Sequence, residues 1–342
     1  MSAPIIAFFN NKGGVGKTSL VYHLSWMYAD LGLRVLAADL DPQANLTAAF
    51  LEEERLEEFW PDGEHSKTVY GSIEPLLQGF GDIVAKPHAE EIDERLFLLL
   101  GDLALSRFED ELSQQWPQCL EKKERAFRVI SAFWRVISRI VDEHEIQIVL
   151  VDLGPNLGAI NRAVLVAADY LAVPLIPDLF SLQGLKNLGP SVKDWRAGWR
   201  DRRDRNPMKK LALPKGRMKP IGYVMMQHAE KMGRPMRAYE RWAEKIPMVY
   251  SEQILGAKPE AHANMDDANR LGLIRHYRSL MPMAQEAHKP IFHLLPADGA
   301  IGSHQNAVFE AKENFKQLAF EIAERCEVTS RKNAYRILDI PQ

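Results

Sequence analysis

The stretch that decides the fold is Ile5-Ile6-Ala7-Phe8-Phe9-Asn10-Asn11-Lys12-Gly13-Gly14-Val15-Gly16-Lys17-Thr18-Ser19. Five apolar residues read as a buried strand. A glycine-rich turn follows, and from Thr18 to Leu31 the chain has the pattern and length of an amphipathic helix. A strand, a tight glycine turn and a helix start are the setting of a phosphate-binding loop. The glycines let backbone N–H groups curl around a phosphate chain, and the helix N-terminus adds the positive end of its dipole. Lys17 is placed to reach the β- and γ-phosphates, and the Thr18 hydroxyl to hold Mg²⁺. The candidate nucleotide-binding residues are Asn11, Lys12, Gly13, Gly14, Val15, Gly16, Lys17, Thr18 and Ser19.

Two further strand ends carry carboxylates. Val35–Ala38 runs into Asp39-Leu40-Asp41-Pro42-Gln43-Ala44-Asn45, and Ile146–Val151 ends at Asp152 before Leu153-Gly154-Pro155. Carboxylates at i and i+2 leaving a strand can face a magnesium ion and its waters. An apolar strand ending in Asp is the Walker B pattern, which holds Mg²⁺ through a water. Alone, Asp41-Pro42 also reads as a turn with a helix cap. After this phosphate loop the metal reading is preferred, with Thr18 and Asp152 serving the ion.

The runs Leu96–Leu100, Tyr170–Leu175, Ile221–Met226 and Ile291–Leu295 are also continuous apolar stretches rather than alternating ones, as strands covered on both faces require. Helical patterns separate them at Ala126–Glu143, Asn161–Ala168, Leu182–Asp201 and Asn306–Arg325. The expectation is an α/β fold: a doubly wound, mostly parallel sheet with helices on both faces. It is read as a single domain over 1–342, with an acidic insertion at about 51–90 and a basic segment at about 193–219. Residues 52–64 hold seven acids against one base, whereas 193–219 hold eleven bases against three acids.

In the phosphate loop, the position where the common pattern has its first glycine is Asn11, and a second lysine, Lys12, follows. That loop, the Asp39–Asn45 segment and the Asp152 strand together resemble the deviant Walker A ATPases of the ParA/MinD type. Weaker likenesses lie at Leu96–Ser106, at Val173–Leu185 and at Pro296–Gly302, the last similar to a loop near the base pocket. The resemblance implies ATP and Mg²⁺ as cofactors, with Asp39 joining Thr18 and Asp152 in serving the metal, and a dimer with two nucleotides between its subunits. It implies Lys12, Lys17 and Asp41 as catalytic residues: Lys12 crossing to the partner's nucleotide, as an arginine finger would, and Asp41 orienting water. It places Gln227, Pro296 and Asp298 at the base pocket. Where the family usually has a proline this chain has Gly154, which is expected to loosen that loop.

A state-dependent dimer needs a surface that reports its state. Arg196, Arg200, Arg202, Arg203, Arg205, Lys209 and Lys210 in the basic segment are the candidates for non-specific DNA binding. A solvated, solubilising surface is the plainer reading of such a run. The resemblance also implies a ParB-like stimulating protein partner, for which the acidic stretch with Trp60 is a candidate surface. A MinD-like membrane tail is disfavoured, because Arg331–Ile340 is short and carries Asp339 among its apolar residues. An amidoligase-type synthetase on the same loop remains a lesser alternative. Iron–sulfur chemistry is not expected, because Cys119 and Cys326 form no ligand pattern. The ten histidines show no metal-ligand spacing. With net charge −3, no long apolar run and no basic leader before Pro4–Phe9, the expectation is a cytoplasmic protein, nucleoid-associated if it binds DNA.

Overall fold

The computed structural model describes residues 3–60, 64–79, 81–228, 230–231, 234–235, 237–257, 267–277 and 279–326. Eight strands form one sheet: Ile5–Phe8 (β1), Val35–Asp39 (β2), Glu90–Asp93 (β3), Leu96–Leu99 (β4), Ile148–Asp152 (β5), Tyr170–Leu175 (β6), Lys219–His228 (β7) and Arg270–Arg275 (β8). Their spatial order is β8-β7-β6-β1-β5-β2-β4-β3. Every pairing is parallel except that of the edge strand β3 with β4.

Side chains alternate between two cores, one on each face of the sheet. Ile5, Ala7, Leu36, Ala38, Val149, Val151, Leu171 and Val173 point into one. Ile6, Phe8, Val35, Ala37, Ile148, Leu150 and Ala172 point into the other. The second core is closed by Lys17–Asp30 (α1), Asn45–Phe50 (α2), Phe59 of Glu53–Phe59 (α3) and, at the far end of the chain, Ser303–Arg325 (which becomes α13 below). The first core is covered by Val69–Leu77 (α4), Phe108–Gln118 (α5), Glu124–Ile130 (α6), Ala132–Glu143 (α7), Ala159–Ala167 (α8) and Leu179–Asp204 (α9). Arg237–Ala243 (α10), Ile246–Tyr250 (α11) and Leu280–Glu286 (α12) precede the C-terminal helix Ser303–Arg325 (α13). Burial on both faces is why the central strands carry no polar alternation.

The structure corrects two expectations. Ile291–Leu295 is no strand: Ile291–His293 is a single 3₁₀ turn after Pro290, and its buried Ile291 and Phe292 pack under helices instead. The sheet edge is taken by β8, whose end arginines are exposed and whose apolar run is interrupted by Gly272. A Cβ there would meet Leu318 Cδ1 at 3.1 Å, so the glycine lets α13 approach. The expected helix Ala126–Glu143 is two helices, broken at Ser131. Its hydroxyl donates to the Phe127 carbonyl at 2.6 Å, a local bond that competes with helix continuation.

The acidic region forms α3, α4 and the approach to β3. Thr68 caps α4, its hydroxyl accepting from Gly71 N at 3.3 Å. The register pairs Phe8 with Asp152 and Asp39 with Asp152. The carboxyl ends of β1, β2 and β5 therefore lie level, and the loops that leave them share one crevice, where ligands of such sheets bind.

Candidate nucleotide site

Gly16 turns the chain from β1 into α1 with φ +84°, a conformation glycine adopts without a Cβ penalty. No side chain caps α1, so its first N–H groups remain for a ligand. The loop is anchored by Asn10, which sequence reasoning passed over. Its amide donates to the Pro174 carbonyl at 2.9 Å, and its Oδ1 accepts from Lys12 N at 3.0 Å. A polar residue directly after a buried strand was the available signal.

Lys17 is buried, and its ammonium donates to the Asn10 and Lys12 carbonyls, each at 3.2 Å. Burial lowers its pKa, while the charges of Asp152 and Asp41 oppose that shift. The Thr18 hydroxyl donates to Asp152 Oδ2 at 2.7 Å. Asp152 Oδ1 is buried with no hydrogen-bond partner. Asp39 Oδ2 accepts from the Thr47 backbone N–H and hydroxyl, both at 2.8 Å, and the same hydroxyl accepts from Gly101 N at 2.8 Å. Asp41 Oδ1 accepts from Gln43 N at 3.0 Å. Burial raises the pKa of Asp39 and Asp152; the charge of Asp41 raises Asp39 further, and the charges of Asp39 and Asp41 raise Asp152.

These groups fit a divalent cation. An unpartnered carboxylate oxygen and a threonine hydroxyl sit side by side among crowded acids that a positive charge would relieve. Among the described residues no group of three or more His, Cys, Asp or Glu side chains could hold a metal on its own.

Lys12 faces away from this crevice. Its ammonium is paired with Asp178 and lies 6.0 Å from the centre of the Phe180 ring. Asp178 is also the N-cap of α9, accepting from Ser181 N at 2.8 Å. Gly154 does not loosen its loop by an unusual φ. It makes room for Asp41, whose Oδ1 would stand 3.0 Å from a Cβ, and its carbonyl is held by Asn161 Nδ2 at 2.8 Å.

A cleft of about 710 Å³ opens over the loop, walled by Gly13–Ser19, Tyr22 and His23 of α1, Gln43, Asn45 and Ala48 near α2, and Met281, Ala284, Gln285, His288 and Lys289 at α12. Pro296 and Asp298 do not line it; Asp298 instead fixes Lys289, which does, at 2.9 Å. Gln227 lies in β7, with its side chain outside the described residues, as is the whole Arg331–Ile340 tail.

The basic segment divides into two groups. Arg200, Arg205, Lys209 and Lys210 are exposed and Arg203 half-buried, although Arg205 pairs with Asp201 at 3.0 Å. Arg202 is buried: its Nε donates to the Trp116 carbonyl at 2.8 Å and its guanidinium lies 4.1 Å from the Trp116 ring centre. Arg196 donates to the Met218 carbonyl and is half-buried. These two arginines hold α9 to its surroundings. Among the described residues no helix is long and apolar enough to cross a membrane.

Comparison with known proteins agrees with this geometry. A family model described as an AAA domain matches residues 3–202, more than half of the chain. An uncharacterised protein of Methanocaldococcus jannaschii is 25% identical over 272 residues, covering 78% of this chain and 88% of that one. The cell division protein PomZ of Myxococcus xanthus is 31% identical over 190 residues, 54% of this chain and 50% of its own length. The protein IncC of Escherichia coli is 29% identical over 187 residues, 55% and 45%. The chain thus spans about half the length of these last two relatives.

Among solved structures, a protein of Corynebacterium diphtheriae superposes with a TM-score of 0.71 at 25% identity, covering 94% of this chain and 98% of that one. McdA of Cyanothece in complex with ATP gives 0.60 at 14% identity, covering 94% and 97%. A plasmid partition protein of Borrelia burgdorferi bound to AMPPNP gives 0.56 at 18%, covering 94% and 99%. These last two likenesses show the fold alone. With the phosphate loop and both carboxylate-bearing strand ends in place, the chain belongs to the AAA domain family, with a phosphate loop like that of ParA/MinD-type proteins.

Proposed function

We propose that this chain is a ParA-like partition or positioning ATPase that binds MgATP, closes into a face-to-face dimer around two nucleotides, holds DNA non-specifically in that state and lets go on hydrolysis. The observation that carries the reading is the opposed orientation of two lysines in one loop. Lys17 points into its own crevice, and Lys12 points out of it toward Asp178 and Phe180. A cation held outside the crevice of its own subunit is available to the nucleotide of another. Exposed Leu103, in the 3₁₀ turn after β4, and Leu179 and Phe180, which open α9 after β6 at the same end of the sheet, supply apolar surface for a partner subunit to cover.

In this reading the loop N–H groups and Lys17 hold the phosphates. Thr18 and Asp152 hold the magnesium ion, with Asp39 behind them. When bound, that ion draws off charge from the phosphate oxygens. Asp41, at the mouth of the crevice beside Gly154, accepts a hydrogen bond from water and sets it in line with the γ-phosphate. Lys12 of the facing subunit adds positive charge where negative charge grows in the transition state, which makes turnover depend on the dimer. The exposed Arg200, Lys209 and Lys210, with the half-buried Arg203, offer a sequence-independent contact to phosphates. The exposed glutamates of α3 offer a site for a basic stimulating partner.

The dimer is tested by sedimentation with ATP and Mg²⁺. The parent chain should shift to twice its mass and Lys12→Ala should remain monomeric while still binding nucleotide. A Lys12→Ala dimer as tight as the parent's would remove Lys12 from the interface.

A further inference from the structure

The cleft above the phosphate loop continues between α1 and α12, and both walls carry ring nitrogens that no group among the described residues engages. His23 on α1 is 3% exposed. Its Nδ1 lies 2.6 Å from the Ser19 carbonyl oxygen. A carbonyl only accepts, so Nδ1 carries the proton and Nε2 is left as a lone-pair acceptor. That Nε2 is buried and has no partner. The ring is stacked on Phe315, with centroids 4.8 Å apart and planes 11° from parallel, and so cannot swing away to find one. On the facing wall, His288 Nδ1 is likewise buried and unpartnered, in the positive-φ turn after α12. Buried polar atoms are almost always paired, and two residues that line one cleft each carry an orphan, which marks a place where a ligand supplies the missing donors.

We infer that His23 Nε2 accepts a hydrogen bond from the nucleoside part of the bound nucleotide, so that this cleft selects its nucleotide by a donor group. The inference rests on the proposal that the loop binds a nucleoside triphosphate. His23 lies four residues beyond Ser19, about 6 Å further along α1. That distance carries it past the phosphate-gripping first turn, to where the nucleoside follows the phosphates. The neutral imidazole is built in: burial pushes its pKa down to about 4. Two nucleoside groups have the right chemistry, the 6-amino group of adenine and a ribose hydroxyl. Guanine has a carbonyl acceptor at the 6-position, and two facing acceptors repel. The loss of one such bond from a desolvated site corresponds to roughly a tenfold change in affinity.

The test is calorimetric titration of the intact chain, with Mg²⁺, using ATP, GTP, purine riboside triphosphate (which lacks the 6-amino group), and 2′-deoxy- and 3′-deoxy-ATP. The parent chain should bind one of the donor-lacking analogues about tenfold more weakly than ATP. A deficit with purine riboside triphosphate assigns the amine, and a deficit with a deoxy analogue assigns the sugar. In His23→Phe, which keeps the stack on Phe315, ATP should fall to the affinity of that analogue and the discrimination should vanish. Equal parent affinities for ATP and all the analogues would overturn the inference without recourse to any variant. So would discrimination unchanged in a folded His23→Phe. Lys17→Ala separates the two layers: if it still binds ATP like the parent, it is the phosphate-loop reading that has failed.

Discussion

Lys12 and Lys17 stand five residues apart in one loop and serve different neighbours: Lys17 is held by the nearby Asn10 and Lys12 carbonyls, Lys12 by a partner the local sequence does not contain. Asp178, which pairs with Lys12, is 166 residues away, and the Pro174 carbonyl that anchors Asn10 is 164 residues away. The meeting of Lys17, Thr18 and Asp152 in one crevice was legible because a glycine loop and a strand-end acid are local patterns. The parking of Lys12 and the orphaned nitrogen of His23 were not legible, because burial and long-range packing create them.

His23 also predicts a pH dependence. Its folded pKa of about 4 lies below the ordinary value of 6.5, owing first to burial. Between those values the unfolded chain holds the extra proton, so stability falls as pH drops through that window. From pH 7 to pH 5 the His23 contribution amounts to about 2 kcal/mol. Asp39 and Asp152 act with the opposite sign, since their raised pKa values cost stability as pH rises above the ordinary carboxylate range. They are common to the parent and to His23→Phe, so the difference between the two isolates the histidine. Urea unfolding at pH 7 and pH 5 should show the parent losing about 2 kcal/mol more than His23→Phe. Equal losses would contradict the neutral, buried imidazole.

Among the elements, α9 shows how far a charge pattern can be read. Eleven bases in 193–219 marked a basic surface, but sequence spacing did not separate arginines that face solvent from those that brace the helix. Arg202 is the clearest case of bracing: it spans from the Gly198 carbonyl at 2.9 Å to the Trp116 carbonyl and ring. Arg202→Ala should therefore destabilise the fold by about 2–3 kcal/mol in urea unfolding, through the lost charge-assisted hydrogen bonds and ring contact. It should leave the salt dependence of any DNA binding unchanged. Replacing Arg200, Arg203, Lys209 and Lys210 by Ala should do the reverse, sparing stability and flattening the slope of log affinity against log salt. A DNA defect confined to Arg202→Ala would invert this assignment. For the strands, the buried central ones were legible from unbroken apolar runs. The edges were not: β8 carries exposed ends and a glycine, and β3 reads as a charged turn.

At the scale of the whole molecule, the sheet order puts β1, β2 and β5 together, so that segments far apart in sequence meet at one carboxyl edge. The same order separates the charges. The acidic α3 is tied by Arg55 to Glu90 of β3, at one edge, at 2.6 Å. The basic segment leads into β7 in the other half of the sheet. A chain of net charge −3 can in this way present a local cationic surface without being basic overall.

The most direct measurement is binding of the purified chain to an arbitrary DNA duplex with ATP, with ADP and with no nucleotide, beside Lys12→Ala. A dimer switch predicts binding with ATP alone, lost in Lys12→Ala and falling steeply with added salt. Equal binding in all three nucleotide states, or none in any state while the ATP dimer still forms, would contradict coupling of the nucleotide to DNA.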